Sequence, residues 1–263
     1  MKNILRYLSF VVIAGLLVTT FNACEEENNY DYNKIVPKIV GGIKGPSEVL
    51  ATGAKAEVFK VLHRGGSTYT WSVSGSDATI TQDPNFGSIA NIKFAQSSVD
   101  KAAVVSVTET TMGGLTASAT YDVSLSAFTP MTWDGFVGTW AGEDEDGPVS
   151  FEVTKGEAEN TIVIHTDADG VPGLFYGVYA GWGETFQPGF GNEGNAIVDV
   201  DLATGDLTIT PQYWGQTLPG PYDYYLYGSG YYNGPVMTLT YSLNFDDTYS
   251  DDYYVYTTVF TKQ

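Results

Sequence analysis

The chain reads as all-β: a sandwich followed by an antiparallel barrel or a second sandwich. Three observations predict this. Short runs of alternating apolar and polar residues recur at intervals of roughly ten residues, separated by Gly-, Ser- and Asp-rich spacers. No segment carries helical periodicity beyond about two turns. With 43% hydrophobic residues and a single cysteine in 263 residues, the chain must rest on apolar cores, not disulfides.

The N-terminus comes before any of this. Lys2 and Arg6 charge the first six residues, and an apolar run follows from Leu8 to Val18, broken by Ser9 and Gly15. About a dozen residues suit a secretory signal and fall short of the ~20 that a membrane-spanning helix needs. Ala23 then stands directly before Cys24, the only cysteine. The stretch from Val18 to Glu27 resembles the relaxed lipobox of Bacteroidota-type surface lipoproteins, with Phe21 where Leu is usual and Asn22 where a small residue is usual. That resemblance implies a signal peptide over residues 1–23 and Cys24 as the lipidated terminus, with the membrane as a partner through that anchor. Glu25-Glu26-Glu27 is similar to the signal for export to the outer face of the outer membrane, so the expected location is lipid-anchored and facing the exterior. The other reading is an unlipidated secreted protein. Each buried acyl methylene adds about 0.8 kcal/mol, so two or three chains anchor stably. Residues 24–34 hold four acids against one lysine and no apolar pattern, and read as a flexible acidic tether.

Charge then divides the remainder. Residues 35–128 balance seven basic against seven acidic residues, whereas residues 129–263 hold only Lys155 and Lys262 against twenty acids. Phe128-Thr129-Pro130 is therefore the expected boundary. In the first part, alternation is plain over residues 56–61, 68–73, 88–94, 103–108 and 117–125. The runs Tyr69 to Gly75 and Ala102 to Thr108 resemble the PKD-like branch of immunoglobulin-like domains, which implies a β-sandwich that mostly serves as a spacer. Trp71 is expected in its core, with ligand stacking as the alternative.

The second part holds four of the five tryptophans and fourteen of the nineteen tyrosines. Strands are expected over residues 136–141, 149–154, 161–165, 196–201, 206–210, 222–227, 236–244 and 253–261. Asp201 to Asp206 joins two of them, with Gly205 where a hairpin needs positive φ. Gly138-Thr139-Trp140 is similar to the Gly-x-Trp of lipocalin-like barrels, where the tryptophan closes one end. The two-part architecture resembles accessory lipoproteins of bacterial glycan-uptake systems.

Functional expectation centres on residues 177–194, a glycine-rich stretch carrying Tyr179, Trp182, Phe186 and Phe190. The aromatics fall at helical intervals, but the glycines and Pro188 argue for a long loop. Aromatic faces in such a loop would stack on sugar rings, and Tyr213, Trp214, Tyr222 and Tyr224 repeat the combination. Packing of these rings in a core is the competing reading. Asp167 and Asp169 form an Asp-x-Asp-Gly turn that could give Ca²⁺ some of its oxygens, although solvated turn acids are the simpler reading and no other cofactor is expected. The acidic surface excludes a phosphate-neutralising stripe for nucleic acid. His63 and His165 are isolated, and no nucleophile, zinc or phosphate-loop motif is present. The expected function is non-catalytic binding of an extracellular glycan or similar ligand. The alternatives are a structural module docking onto a neighbouring outer-membrane protein, and a carboxylate-based glycosidase.

Overall fold

A computed structural model describes residues 38–97, 100–248 and 254–263. Cys24, the signal segment and the tether lie outside these described residues. The described chain is all-β, with two short helices.

Seven strands come first: β1 (Glu48–Ala51), β2 (Glu57–Lys60), β3 (Thr68–Ser74), β4 (Ala78–Gln82), β5 (Ile89–Phe94), β6 (Lys101–Thr110) and β7 (Thr116–Ala127). They form a four-stranded sheet in the order β1-β7-β6-β3 and a three-stranded sheet in the order β2-β5-β4. One apolar cluster joins the sheets, with Phe59, Ile92, Val105 and Val107 fully buried within it. Each such side chain contributes about 1.5–3 kcal/mol by leaving water. Trp71 belongs to this core, and its indole N–H donates to the Gly87 carbonyl at 2.9 Å. It is a packing residue. Two strands escaped the alternation pattern, and both have a physical excuse. β1 is four residues long and pairs in parallel with β7, while β4 has no fully buried residue.

The second part is a closed barrel. A short helix α1 (Trp133–Phe136) leads into β8 (Gly138–Asp144), β9 (Gly147–Lys155) and β10 (Thr161–Ile164). Helix α2 (Tyr176–Trp182) and the two-residue strand β11 (Thr185–Phe186) interrupt the meander. It resumes with β12 (Ala196–Val200), β13 (Asp206–Leu218), β14 (Asp223–Asn233), β15 (Val236–Asn244) and β16 (Tyr254–Lys262). Eight strands pair antiparallel in the cyclic order β8-β9-β10-β12-β13-β14-β15-β16, and β16 returns to β8. The barrel alternative is thus the correct one of the two expected for residues 129–263.

Side chains alternate across the barrel wall as a two-residue period requires. Val149, Phe151 and Val153 of β9 point inward, and Ser150, Glu152 and Thr154 face solvent. The same polarity holds along β16, where Tyr256, Thr258 and Phe260 are inside. Apolar inside and polar outside is the reverse of a lipid-facing barrel with an aqueous lumen.

The two ends of the barrel differ. At one end the chain arrives through Phe128, which belongs to the barrel core and packs on Tyr232 at 5.6 Å. Phe136 and Trp140 stack beside them, and the Trp140 indole donates to the Phe136 carbonyl at 2.8 Å. Phe136 therefore ends α1 and does not begin a strand, while Trp140 is fully buried on β8 beside it. The Asp201–Asp206 hairpin lies here too, with Gly205 at φ +78° as its turn demands. Asn233 ties the two parts together, accepting from the Thr129 amide at 2.7 Å and donating to the Ala127 carbonyl at 2.8 Å. A Lys55–Asp206 ion pair at 2.6 Å adds to this junction.

Candidate functional site

The other end, which we call the mouth, is plugged by α2. The residues before β11 were expected as an open loop; those from Tyr176 to Trp182 are a helix of about two turns. Tertiary packing overrides the poor helix propensity of its glycines. Gly177 is there because a Cβ would lie 2.5 Å from that of Asp146, so only glycine lets the helix sit against the β8–β9 hairpin. Phe175 enters the helix in the left-handed conformation at φ 57°, a cost of roughly 1–2 kcal/mol for a side-chain-bearing residue. Its burial offsets that cost: the ring packs edge-on to Tyr241 at 4.7 Å and beside Tyr256 at 4.8 Å.

The plug drives Tyr179 into the barrel, where it meets Phe186 at 5.3 Å, Tyr224 at 5.4 Å and Trp214 at 5.7 Å. All four side chains are buried. Three residues expected to line an open site, Tyr179, Trp214 and Tyr224, are therefore packed into the core, and of the three only Tyr224 reaches the mouth depression. Trp214 turns inward because β13 runs on to Leu218, eight residues past its expected end, with register shifts around Pro211 and Trp214. Tyr213, its neighbour, faces outward beside Tyr225 and donates to Asp223 at 2.6 Å, away from the mouth depression. Burial pushes the Tyr213 phenol up to about 12, with Asp223 adding to the effect. Burial also holds the Tyr179 phenol well above its ordinary range.

Trp182 and Tyr222 stay exposed. They are 43% and 55% exposed, and with Glu184, Tyr224, Phe245 and Tyr254 they line an open depression of about 320 Å³ beside the plug. Trp182 leans on Tyr254 at 5.7 Å, and Phe245 on Tyr224 at 4.9 Å. Glu184 supplies the polar element. Its Oε2 accepts from the Thr217 hydroxyl at 2.9 Å and from the Tyr224 phenol at 3.0 Å, which fixes the carboxylate among the rings. Burial first, then the bond to Glu184, raise the Tyr224 phenol far above its ordinary value. Glu184, Phe245 and Tyr254 were not anticipated. Glu184 lies two residues after Trp182 in the stretch already singled out, and a carboxylate so close to an exposed tryptophan is the signal that could have found it.

Two larger concavities are lined differently. A groove of about 710 Å³ between the two parts is lined by Glu48, Glu57, the Lys55–Asp206 pair, Tyr231 and a mixture of hydroxyls and aliphatic side chains. Another of about 530 Å³ lies on the outer wall beside Val163 and Ile197. Neither gathers several exposed rings around a fixed carboxylate, as the mouth does. The Asp167 carboxylate is engaged in its own turn, accepting from the amides of Asp169 and Val171 at 2.9 Å each. Among the described residues, no three metal-ligating side chains converge there or elsewhere. His165 bonds Thr154 at 2.7 Å and Asn195 at 3.2 Å, a structural pairing on the outer wall.

Compared with protein-family models, with curated proteins and with solved structures, the chain gives no match.

Proposed function

We infer that this protein is a non-catalytic surface lipoprotein that holds an extracellular glycan at the barrel mouth. The observation carrying the reading is the mouth depression, where Trp182 and Tyr222 expose ring faces next to the fixed carboxylate of Glu184. Sugar rings offer apolar C–H faces to stack on such rings, and hydroxyls that donate to carboxylates. The fixed carboxylate among the rings favours a hydroxyl-bearing ligand over a purely apolar docking partner. In this reading the first part is an immunoglobulin-like, PKD-type sandwich acting as a spacer. Cys24 carries the lipid, and residues 24–34 form the tether to the outer membrane.

The geometry supports this division of labour. β14 runs from Tyr224 at the mouth to Tyr232 beside the junction, about 26 Å of strand. The mouth thus points away from the first part and from any anchor attached to it. A glycan array and affinity electrophoresis in polysaccharide gels test the reading, with Trp182→Ala as the control. Retarded migration that disappears in the variant supports it. A protein that binds no glycan in either assay, or a variant that binds as well as the parent, removes it. Mass analysis of the mature protein that found Cys24 unmodified would remove the anchor.

A further inference from the structure

We propose that the mouth selects a sugar bearing a positively charged nitrogen, such as an amino sugar with a free ammonium group. This rests on the glycan reading above and adds the charge of the ligand. Two independent features lead to it.

The first is the local chemistry. A cation gains most from aromatic faces when it sits within about 6 Å of them and a carboxylate stands close by. Trp182, Tyr222 and Tyr254 supply faces around Glu184. One oxygen of Glu184 accepts from Thr217 and Tyr224, which hold the group in place, and among the described residues no lysine or arginine pairs with it.

The second is the distribution of charge over the whole barrel. Residues 129–263 contain two lysines, Lys155 and Lys262, and no arginine. Both are engaged at the far end: Lys155 pairs with Asp134 at 2.6 Å, and Lys262 donates to the Gly135 carbonyl at 2.6 Å. The elements around the mouth carry Asp144 and Asp146 on the β8–β9 hairpin and Asp247 after β15. Both lysines of the barrel are engaged elsewhere. Such a field attracts a cationic ligand and repels uronic acids and sulfated sugars. A neutral glycan would stack on the same rings and gain nothing from Glu184 beyond hydrogen bonds.

The test compares oligomers of glucosamine, N-acetylglucosamine and glucose of equal length by titration calorimetry, at mildly acidic pH where the amine is protonated. Glucosamine oligomers are expected to bind about tenfold tighter or better than the other two. Their affinity alone should fall steeply with added salt. Glu184→Gln, which keeps an oxygen for Thr217 and Tyr224, should abolish the preference while leaving stacking on the neutral sugars. Equal affinity for all three oligomers, or a preference that survives Glu184→Gln and high salt, overturns the charge selectivity and leaves glycan binding standing. If none of the three binds, and the glycan array is also blank, both readings fall together.

Discussion

The two ends of the barrel are built from the same residue types and do different things with them. At the closed end the aromatic groups have their polar atoms paired: Trp140 donates to Phe136, and Tyr232 donates to the Leu202 carbonyl at 3.0 Å. At the mouth, the Tyr179 hydroxyl and the Trp214 indole N–H are buried with no hydrogen-bond partner among the described residues. Trp182 and Tyr222, close by, remain exposed. Cations also segregate, with both barrel lysines at the closed end and acids alone around the mouth. Tightly satisfied aromatics hold a fold, whereas under-satisfied and exposed ones mark the place where stability has been given up for something else.

The contrast can be broken by substitution. The largest effect is expected from Trp140→Ala at the closed end. Removing a fully buried tryptophan should cost about 3–5 kcal/mol, read as a lowered midpoint in chemical denaturation. A loss below about 1 kcal/mol would show that this end does not hold the barrel. Trp182→Ala should cost about 1–2 kcal/mol, less than Trp140→Ala because its ring is 43% exposed and leans only on Tyr179 and Tyr254, while removing binding. Asn233→Ala should cost about 0.5–1.5 kcal/mol, because the Thr129 amide and the Ala127 carbonyl lose their partner at the junction.

Tyr179→Phe at the mouth should do the opposite. Deleting an unpartnered hydroxyl relieves a desolvation cost, so the variant should be neutral or up to about 1 kcal/mol more stable. Clear destabilisation would reveal a bound water or another partner for that hydroxyl.

Asp144 gives the contrast a pH dependence. Burial chiefly raises its carboxyl above the ordinary aspartate value, and Asp146 adds to this against the amides that bond it. The folded state therefore holds this proton more tightly than the unfolded chain. Stability is lost as pH rises from the ordinary aspartate value through the raised one, and the cost is complete above it. Asp144→Asn keeps the oxygen that accepts from the Asp146 amide and should gain on the parent across that window. Parallel stability–pH curves for the two proteins would contradict this.

Most of the strands could be read from alternation alone. β15 spans the residues expected, and β9, β10, β12 and β16 differ from expectation by a few residues at their ends. β13 and β14 were cut short for definite reasons. Pro211 has no amide to give the ladder, and Gly228 and Gly230 offer no side chain to continue the pattern. The helical spacing of Tyr179, Trp182 and Phe186 was visible, but glycine content outweighed it, and only the barrel mouth explains how seven residues with two glycines stay helical. The mouth depression falls partly in the stretch singled out, but which of the aromatic residues stay exposed was misjudged in part. Tyr179, Trp214 and Tyr224 look the same in sequence as Trp182 and Tyr222. What separates them is which side of a strand or helix they occupy, and bulges in β13 reset that parity.

The pairing of β16 with β8 has a consequence for how the chain acquires its fold. Phe260 lies opposite Gly142, and Lys262 opposite Trp140, so the first barrel strand waits for the last one, about 120 residues later. Until β16 is in place, β8 and β15 are open edges flanked by aromatic residues, ready to pair with another chain. A chain cut short before Tyr254 would leave β8 and β15 without the strand that pairs them. The rate at which β16 docks, measurable by refolding kinetics, is then the interval during which this protein is most exposed to aggregation.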